Sequence, residues 1–185
     1  MSSAFEQVLR QAKSQPGTPV ILRPGELEGL YRRRVPGDGQ CFWHALAAAE
    51  HEAAEHETQL ASRGWLEHRA RQWRQAVADE LWDEKAHRLR EPYGPFWAPG
   101  EEGGGAAHTA AAYVRAVRSG GVFGGALEIA AATAVAPVTV GVVDIDCAGR
   151  STLVTFGQRG GRLLLLTRSR NHYDAVRVAK KKRAG

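Results

Sequence analysis

The chain has 185 residues, of which 43% are hydrophobic and 24% charged, values that fit one globular domain with a single sizeable core. No apolar run reaches the roughly 20 residues of a membrane-spanning helix, and the opening segment lacks the apolar stretch of a secretory signal. The net charge of +5 includes four positive charges in Lys180–Arg183, a segment without aromatic residues for base stacking, so nucleic-acid binding is not expected.

Helical patterns dominate the first part of the chain. Apolar residues at helical spacing between Phe5 and Ala12 predict a short amphipathic helix, followed by a loop. A turn-forming segment then leads directly into an alanine- and glutamate-rich stretch, so the next helix is predicted to begin at Cys41. A third helix is predicted from an N-cap at Ser62 to about Arg90, with apolar residues along one face.

The second half of the chain changes from helical to strand patterns. Pro92–Gly105 mixes proline, glycine and aromatic residues and predicts a long surface loop. Two helices are predicted next, around Tyr113–Val117 and around Leu127–Ala131, with a glycine-rich bend between them. From Pro137 onward, β-branched and aliphatic runs predict the successive strands VTVGVVDI, STLVTF, RLLLLT and HYDAVRV. Helices followed by strands indicate an α+β domain, with helices packed around a small, mainly antiparallel sheet.

Cys41 is the first candidate for chemistry. A cysteine at a helix N-terminus faces unpaired backbone N–H groups and the positive end of the helix dipole, which favour the nucleophilic thiolate. The preceding Gly39 permits close approach of a substrate, and the Cys41 N–H is placed to help hold an oxyanion. A small hydrophobic residue that begins a core helix would explain Cys41 alone equally well.

His172 and Asp174 are the candidate partners of Cys41. Alternate residues of a strand share a face, so these two side chains are predicted to point the same way, and an acid can bind the far imidazole nitrogen. This is the arrangement of a nucleophile, its base and the acid that orients the base. Asn171 is a second candidate for orienting the ring.

Other groups are weaker candidates. Cys147 follows a predicted strand without a basic partner and is interpreted as structural. The two cysteines are too few for a disulfide framework and form no CxxC pair, so a free Cys41 in a reducing compartment is expected. The run of histidines and glutamates after Ala49 is interpreted as a solvated helix face, and neither a metal nor a cofactor is predicted.

Three ordered blocks of the sequence resemble the ovarian-tumour (OTU) family of cysteine proteases. Asp38–Leu46 (DGQCFWHAL) is similar to the family's nucleophile segment, and HYDAV to its closing His-Tyr-Asp block. Gly121–Ala131 is similar to the family's glycine turn and glutamate-containing helix. Gln40, Trp43, His44 and Phe123 depart from the usual residues, which leaves the subfamily open.

The resemblance implies a papain-like OTU fold and hydrolysis of the bond after the C-terminal glycine of ubiquitin or a ubiquitin-like protein. By the same resemblance, Cys41 attacks the carbonyl, His172 transfers the proton and Asp174 orients His172. The oxyanion and accessory residues would be Asp38, Gly39, Gln40 and Asn171. The implied organisation is a lead-in with a helix at 1–30, a catalytic domain at 31–179 and a basic tail at 180–185.

The substrate is less well defined by the sequence. Ubiquitin carries basic residues just before its diglycine tail, so an acidic patch is expected near the cleft, for which Glu101, Glu102 and Glu128 are candidates. Trp97 is a candidate for lining the same surface. A monomer that acts in the cytoplasm is expected, and the alanine, arginine and glycine bias suggests a bacterial effector or toxin module delivered into a host cell.

Two alternatives remain open at this stage. Another papain-like enzyme, such as a deamidase or an acyltransferase toxin, would use the same order of cysteine, histidine and acid. A ubiquitin-binding domain without turnover would keep the fold but not need the three side chains. An acid only two residues after the histidine favours the OTU interpretation over the first alternative, and the intact trio favours it over the second.

Overall fold

A computed structural model describes residues 4–54, 62–94, 109–157 and 160–178. Within these ranges the helices are α1 (Ala4–Ser14), α2 (Cys41–Ala54), α3 (Arg63–Leu81), α4 (Ala110–Ser119) and α5 (Ala126–Val135). The strands are β1 (Val20–Leu22), β2 (Leu30–Arg33), β3 (Trp82–Asp83), β4 (Arg88–Leu89), β5 (Val138–Ile145), β6 (Ser151–Phe156), β7 (Arg162–Ser169) and β8 (His172–Val178). The predicted helices and the predicted strands after Pro137 are all present.

Six strands form the main sheet, in the order β1-β6-β5-β7-β8-β2, and β3 pairs only with β4. All pairings in the main sheet are antiparallel except the central one between β5 and β7. Strand β5 is buried from Val138 to Val143, as expected of a central strand covered on both faces. The prediction of an α+β fold with a mainly antiparallel sheet is confirmed.

Helices cover both faces of the main sheet. Leu164 and Leu166 of β7 belong to the larger core, which they share with α2, α3, α4 and α5. The intervening Leu165 points the other way, into a smaller core that contains Phe5 and Val8 of α1. The alternation of side chains along the strand thus places α1 on one face and the remaining helices on the other.

Helix α2 is the central helix of the larger core. Its first nine residues, from Cys41 to Ala49, are all buried. A helix that is apolar all round must be enclosed by other elements, and α2 lies against β7, β8 and α3. The small alanine side chains allow these neighbours to approach closely. The N-terminus of α2 is therefore held rigidly beside the start of β8.

Helix α3 is shorter than predicted. It starts after Ser62, as expected, but ends at Leu81 rather than near Arg90. The Asp83 carboxylate accepts the backbone N–H groups of Lys85 and Ala86, at 3.0 and 3.1 Å, and so closes a turn. This turn lets β3 and β4 pair as a short antiparallel hairpin. The side chain of Asp83 therefore competes with the helix for backbone donors.

Strands β1 and β2 were not predicted and lie at the two edges of the sheet. Strand β1 pairs with β6, and β2 pairs with β8 from Leu30↔Val178 to Arg33↔Ala175. The boundary predicted between residues 30 and 31 therefore falls inside β2, and the lead-in is part of the same sheet. The predicted basic tail at 180–185 lies outside the described residues. Among the helices in the described ranges, none combines the length and apolar character required to cross a membrane.

Candidate active site

Cys41 occupies the N-terminus of α2 because the preceding turn redirects the chain there. Gly39 has a φ of +81°, a left-handed conformation that favours glycine. The Asp38 carboxylate accepts the Gln40 N–H at 3.0 Å, which fixes the turn, and the Gln40 carbonyl accepts the first helical bond from His44 at 3.1 Å. The first N–H groups of a helix lack intrahelical partners, so they and the helix dipole provide positive potential around the thiol.

The thiol of Cys41 lies against the backbone on both sides of His172. Its Sγ is 3.5 Å from the Tyr173 amide nitrogen and 3.7 Å from the Asn171 carbonyl oxygen. The hairpin between β7 and β8 pairs Ser169 with His172, so its two turn residues bring Asn171 to the thiol. Residues 130 positions apart in sequence thus meet at one point.

His172 and Asp174 are neighbours on one face of β8, as predicted. His172 Nε2 lies 3.0 Å from Asp174 Oδ1. Because the carboxylate engages Nε2, Nδ1 is the ring nitrogen left to exchange a proton with a thiol. Gly37, in the loop before Cys41, lies next to this edge of the ring, because a Cβ built on Gly37 would be 3.8 Å from Nδ1 and Cε1.

Asp174 is held by two groups that sequence reasoning missed. It is 3% exposed, and its Oδ1 accepts the Val35 N–H at 2.9 Å in addition to facing His172. Its Oδ2 lies 3.3 Å from Nε of Arg32, which projects from edge strand β2. A buried carboxylate needs such donors, because an unpaired buried charge is costly. The missed strand β2 is therefore the element that anchors the acid.

Gln40, which stands immediately before Cys41, is held by a second missed residue. The Arg74 guanidinium of α3 donates a hydrogen bond to the Gln40 side-chain oxygen. Arg74 is only 9% exposed, and burial lowers the pKa of its guanidinium, as does the nearby positive charge of Arg71. A Cβ on Gly120 would approach the Gln40 side chain to 3.0 Å, so the amide is enclosed on that side too. An arginine at a buried position of an amphipathic helix was the available sequence signal.

Asp38 and Asn171 contribute to the site through the turn before Cys41 and through a backbone carbonyl, respectively. The Asp38 carboxylate shapes the turn through Gln40 and lies 3.7 Å from Nδ1 of the buried His44. The backbone carbonyl of Asn171 faces the thiol, and Asn171 is otherwise exposed to solvent. The structure therefore brings Asp38, Gly39, Gln40 and Asn171 together around Cys41.

The predicted acidic substrate patch is not supported at Glu128. Glu128 is fully buried, accepts the Gly125 N–H at 2.8 Å and receives a hydrogen bond from the Tyr113 hydroxyl. The prediction that it contacts a substrate is wrong, because its carboxylate caps α5 instead. The other candidates, Glu101, Glu102 and Trp97, lie outside the described residues.

Gly124 and Phe123 form the wall opposite the β7–β8 hairpin. A Cβ on Gly124 would lie 2.1 Å from ring carbons of Phe42, so only glycine fits against that ring. Phe42 follows Cys41 in α2 and packs edge-on against the Tyr173 ring, with centroids 5.2 Å apart. Phe123 is 47% exposed. Between this wall and the hairpin lies a pocket of about 230 Å³ that includes Cys41 in its lining.

Comparison with solved structures identifies the fold. No protein-family model and no curated protein sequence matches the chain. The viral OTU domain protease from Dera Ghazi Khan virus is 16% identical, with a TM-score of 0.59 over 89% of this chain and 88% of that one. The Hazara virus OTU bound to ubiquitin is 22% identical, with a TM-score of 0.56 over 82% and 83% of the two chains.

A third solved structure extends the likeness over nearly the whole chain. The OTU domain of OTUD1 is 15% identical, with a TM-score of 0.58 over 94% of this chain and 97% of that one. At sequence identities this low, the comparisons show that the fold is shared and nothing further. The predicted papain-like OTU fold is confirmed, and the chain has the fold of the OTU proteases.

Proposed function

We propose that this chain is a cysteine protease that hydrolyses the peptide or isopeptide bond after the C-terminal glycine of ubiquitin or a ubiquitin-like protein. The observation that carries the proposal is the contact of the Cys41 thiol with the backbone on both sides of His172, while Nε2 of His172 meets Asp174. A thiol, an imidazole and an acid in this order are the components of thiol-based acyl transfer.

The proposed reaction begins with transfer of the thiol proton to Nδ1 of His172. The sulfur then attacks the carbonyl carbon of the terminal glycine, and the carbonyl oxygen becomes an oxyanion. When the C–N bond breaks, the leaving amine takes the proton from the imidazolium, and a thioester to Cys41 remains. Water attacks the thioester, His172 accepts its proton, and the free carboxyl product leaves as the thiol is restored.

Asp174 contributes by fixing one tautomer of His172 and stabilising the imidazolium. Its carboxylate cannot turn away from the ring, because the Val35 N–H and Arg32 hold its two oxygens. Backbone N–H groups of the turn at Gly39 and of Cys41 are proposed to hold the oxyanion. Rigid donors of this kind need no reorganisation during the reaction.

Ubiquitin is proposed as the substrate class on the basis of the shared fold. The similar Hazara virus domain was solved bound to ubiquitin. Free thiols at Cys41 and Cys147 suit action in a reducing compartment such as the cytoplasm. Delivery into a host cell stays a prediction.

The proposal is tested by cleavage of ubiquitin joined through an isopeptide bond to a lysine-containing peptide. The wild-type chain should release free ubiquitin, and Cys41→Ala should not. Cys147→Ala is the matched control, because it removes the exposed thiol and should retain full turnover. Turnover by Cys41→Ala, or its loss in Cys147→Ala, would contradict the assignment.

The same experiment separates the alternatives. Saturable binding of ubiquitin without release of product would indicate a binding domain that lacks turnover. Release of ammonia from a glutamine side chain of the added protein, with the isopeptide bond intact, would indicate a deamidase. A panel of ubiquitin-like proteins joined to the same peptide then identifies the preferred modifier.

A further inference from the structure

His44 is a buried histidine that takes no part in the proposed reaction. It lies one turn after Cys41 in α2 and is 6% exposed. Its Nδ1 is buried and has no hydrogen-bond partner among the residues that the structure describes. A buried polar nitrogen without a partner is costly, so an acceptor within reach of it would stabilise this part of the fold.

The Asp38 carboxylate faces this nitrogen from the turn before Cys41. Its Oδ1 lies 3.7 Å from Nδ1 of His44, just beyond hydrogen-bond distance, and accepts the Gln40 N–H at 3.0 Å. The Asp38 side chain is 48% exposed and has room to rotate, whereas His44 is enclosed in the core. A small rotation of Asp38 would therefore bring the carboxylate within hydrogen-bond distance of the imidazole while it still accepts the Gln40 N–H.

The same arrangement occurs at the proposed base. Asp174 Oδ1 accepts a backbone N–H at 2.9 Å and lies 3.0 Å from an imidazole nitrogen of His172. Asp38 Oδ1 also accepts a backbone N–H, with the imidazole of His44 further away. The first pair orients the proposed base, and the second pair lies at the turn whose N–H groups are proposed to hold the oxyanion.

The protonation state of His44 determines how strongly it can bind Asp38. A protonated imidazole forms a charge-assisted hydrogen bond with a carboxylate, which is about twice as strong as a neutral one. Two other charged or titratable groups lie near the turn. Arg74 of α3 is within electrostatic range of Asp38, and the ring of His172 lies next to Gly37. Arg74 already donates a hydrogen bond to Gln40, so the Asp38 carboxylate is left to His44.

We infer that His44 is a positioning residue that, when protonated, binds the Asp38 carboxylate and holds the turn before Cys41 in its active geometry. This inference rests on the proposed function and adds a residue that acts on the reaction through Asp38. A turn that is held in place presents its N–H groups to the oxyanion without reorganisation, so the contact stabilises the transition state more than the bound substrate. The effect should therefore appear in kcat, with little change in KM, and should grow as the pH falls.

The first test compares kcat for isopeptide cleavage in the wild type and in His44→Asn between about pH 8 and about pH 6, where histidines change charge. Asparagine keeps a polar nitrogen near the position of Nδ1 but cannot become charged. The titration of Cys41 and His172 is common to both proteins and cancels in the ratio of the two rates. The ratio of wild type to variant should rise about threefold to tenfold from the higher pH to the lower one.

Asp38→Asn removes the charge of the other partner. Its side-chain oxygen can still accept the Gln40 N–H, and Asp38 is exposed, so this variant should fold even if His44→Asn does not. The ratio of wild type to Asp38→Asn should rise in the same way, and the double variant should lose nothing further. His68→Asn removes an exposed histidine of α3 and, as the matched control, should give a ratio that does not change with pH. A ratio for Asp38→Asn that is equally independent of pH would overturn the inference.

A second measurement does not depend on cleavage. The NMR signal of the Gln40 amide, whose N–H donates to Asp38, is followed over the same pH range. It should shift as a histidine titrates in the wild type and shift much less in His44→Asn. If this difference is found and no ubiquitin substrate is cleaved, the contact stands and the proposed protease function fails. If the substrate is cleaved but neither the rate ratios nor the Gln40 signal depend on His44, the proposed function stands and the inference fails.

Discussion

Cys41 and Cys147 are chemically identical, and the regions around them differ in almost every property that governs a thiol. Cys147 is exposed in the turn between β5 and β6. Next to it, the carboxylate of Asp146 accepts backbone N–H groups from Ala148 and Arg150, each at 2.9 Å. Cys41 is 3% exposed, begins a buried helix and lies beside His172.

Under the proposed function, the placement of a thiol in the fold, and not its exposure, distinguishes the nucleophile Cys41 from Cys147. At Cys147 the backbone donors of the turn already serve the Asp146 carboxylate. At Cys41 the N-terminus of α2 has backbone N–H groups without intrahelical partners, and in the proposed reaction His172 accepts the thiol proton. Each substitution below removes one contact of the site around Cys41 and should lower the rate of substrate cleavage. The size of the loss depends on which contact is removed.

The largest effect is expected for His172→Ala. Without the imidazole, the thiol loses its proton acceptor and the leaving amine loses its donor, so cleavage of an isopeptide substrate should fall about 10⁴-fold. Steady-state rates provide the measurement, and an unchanged thermal unfolding temperature is the control for folding. A rate within tenfold of wild type would show that another group acts as the base.

A smaller loss is expected for Asp174→Asn. The amide keeps the size of the side chain but cannot stabilise an imidazolium as a carboxylate does, and the rate should fall on the order of 10²-fold. The substitution also places an amide against the Val35 N–H and Arg32, so thermal unfolding should be recorded alongside. Wild-type turnover in a folded variant would mean that the acid is misassigned.

Arg74→Met tests the hydrogen bond from Arg74 to the side chain of Gln40, the residue before Cys41. It removes the donor to Gln40 while filling most of the buried space, and the free energy of unfolding should fall by about 1–3 kcal/mol. We expect kcat to fall several-fold with little change in KM, because the loop before Cys41 loses its fixed position. Arg115→Met, which removes an exposed arginine of α4, is the matched control and should change neither quantity.

Arg32→Gln should have the smallest effect. Arg32 contacts Asp174 from a side chain that is 44% exposed, so solvent screens the pair and the rate should fall only about twofold to fivefold. Arg34→Gln removes an exposed charge two residues further along and should leave the rate unchanged. Equal losses in the two variants would indicate a general charge effect instead of a contact with Asp174.

The parts of the fold that were predictable are those encoded locally. The long apolar runs of β5 and β7 and the alanine-rich α2 carry their own signal, since period and composition specify each element. The alternation along β8 also predicted that His172 and Asp174 share a face, and the two side chains meet at 3.0 Å.

The missed features depend on contacts between distant segments. Strand β2 has the sequence LYRR, which has no apolar alternation, and it becomes a strand because β8 pairs with it. Arg32 and Arg74 acquire their roles only through that pairing and through the packing of α3 behind the nucleophile. Glu128 was misassigned because an acidic residue in a helix is usually expected to be exposed. Here the Glu128 carboxylate is buried and accepts hydrogen bonds from the Tyr113 hydroxyl and the Gly125 N–H.

The most direct test of the account is to map the adduct that forms when the wild-type chain reacts with ubiquitin carrying a C-terminal electrophile. The chain holds two free thiols, and the exposed one is the more accessible. We predict a single adduct at Cys41 by peptide mass spectrometry, with Cys147 unmodified. An adduct at Cys147, or equal labelling of both thiols, would contradict the central claim that the site around Cys41 creates the nucleophile.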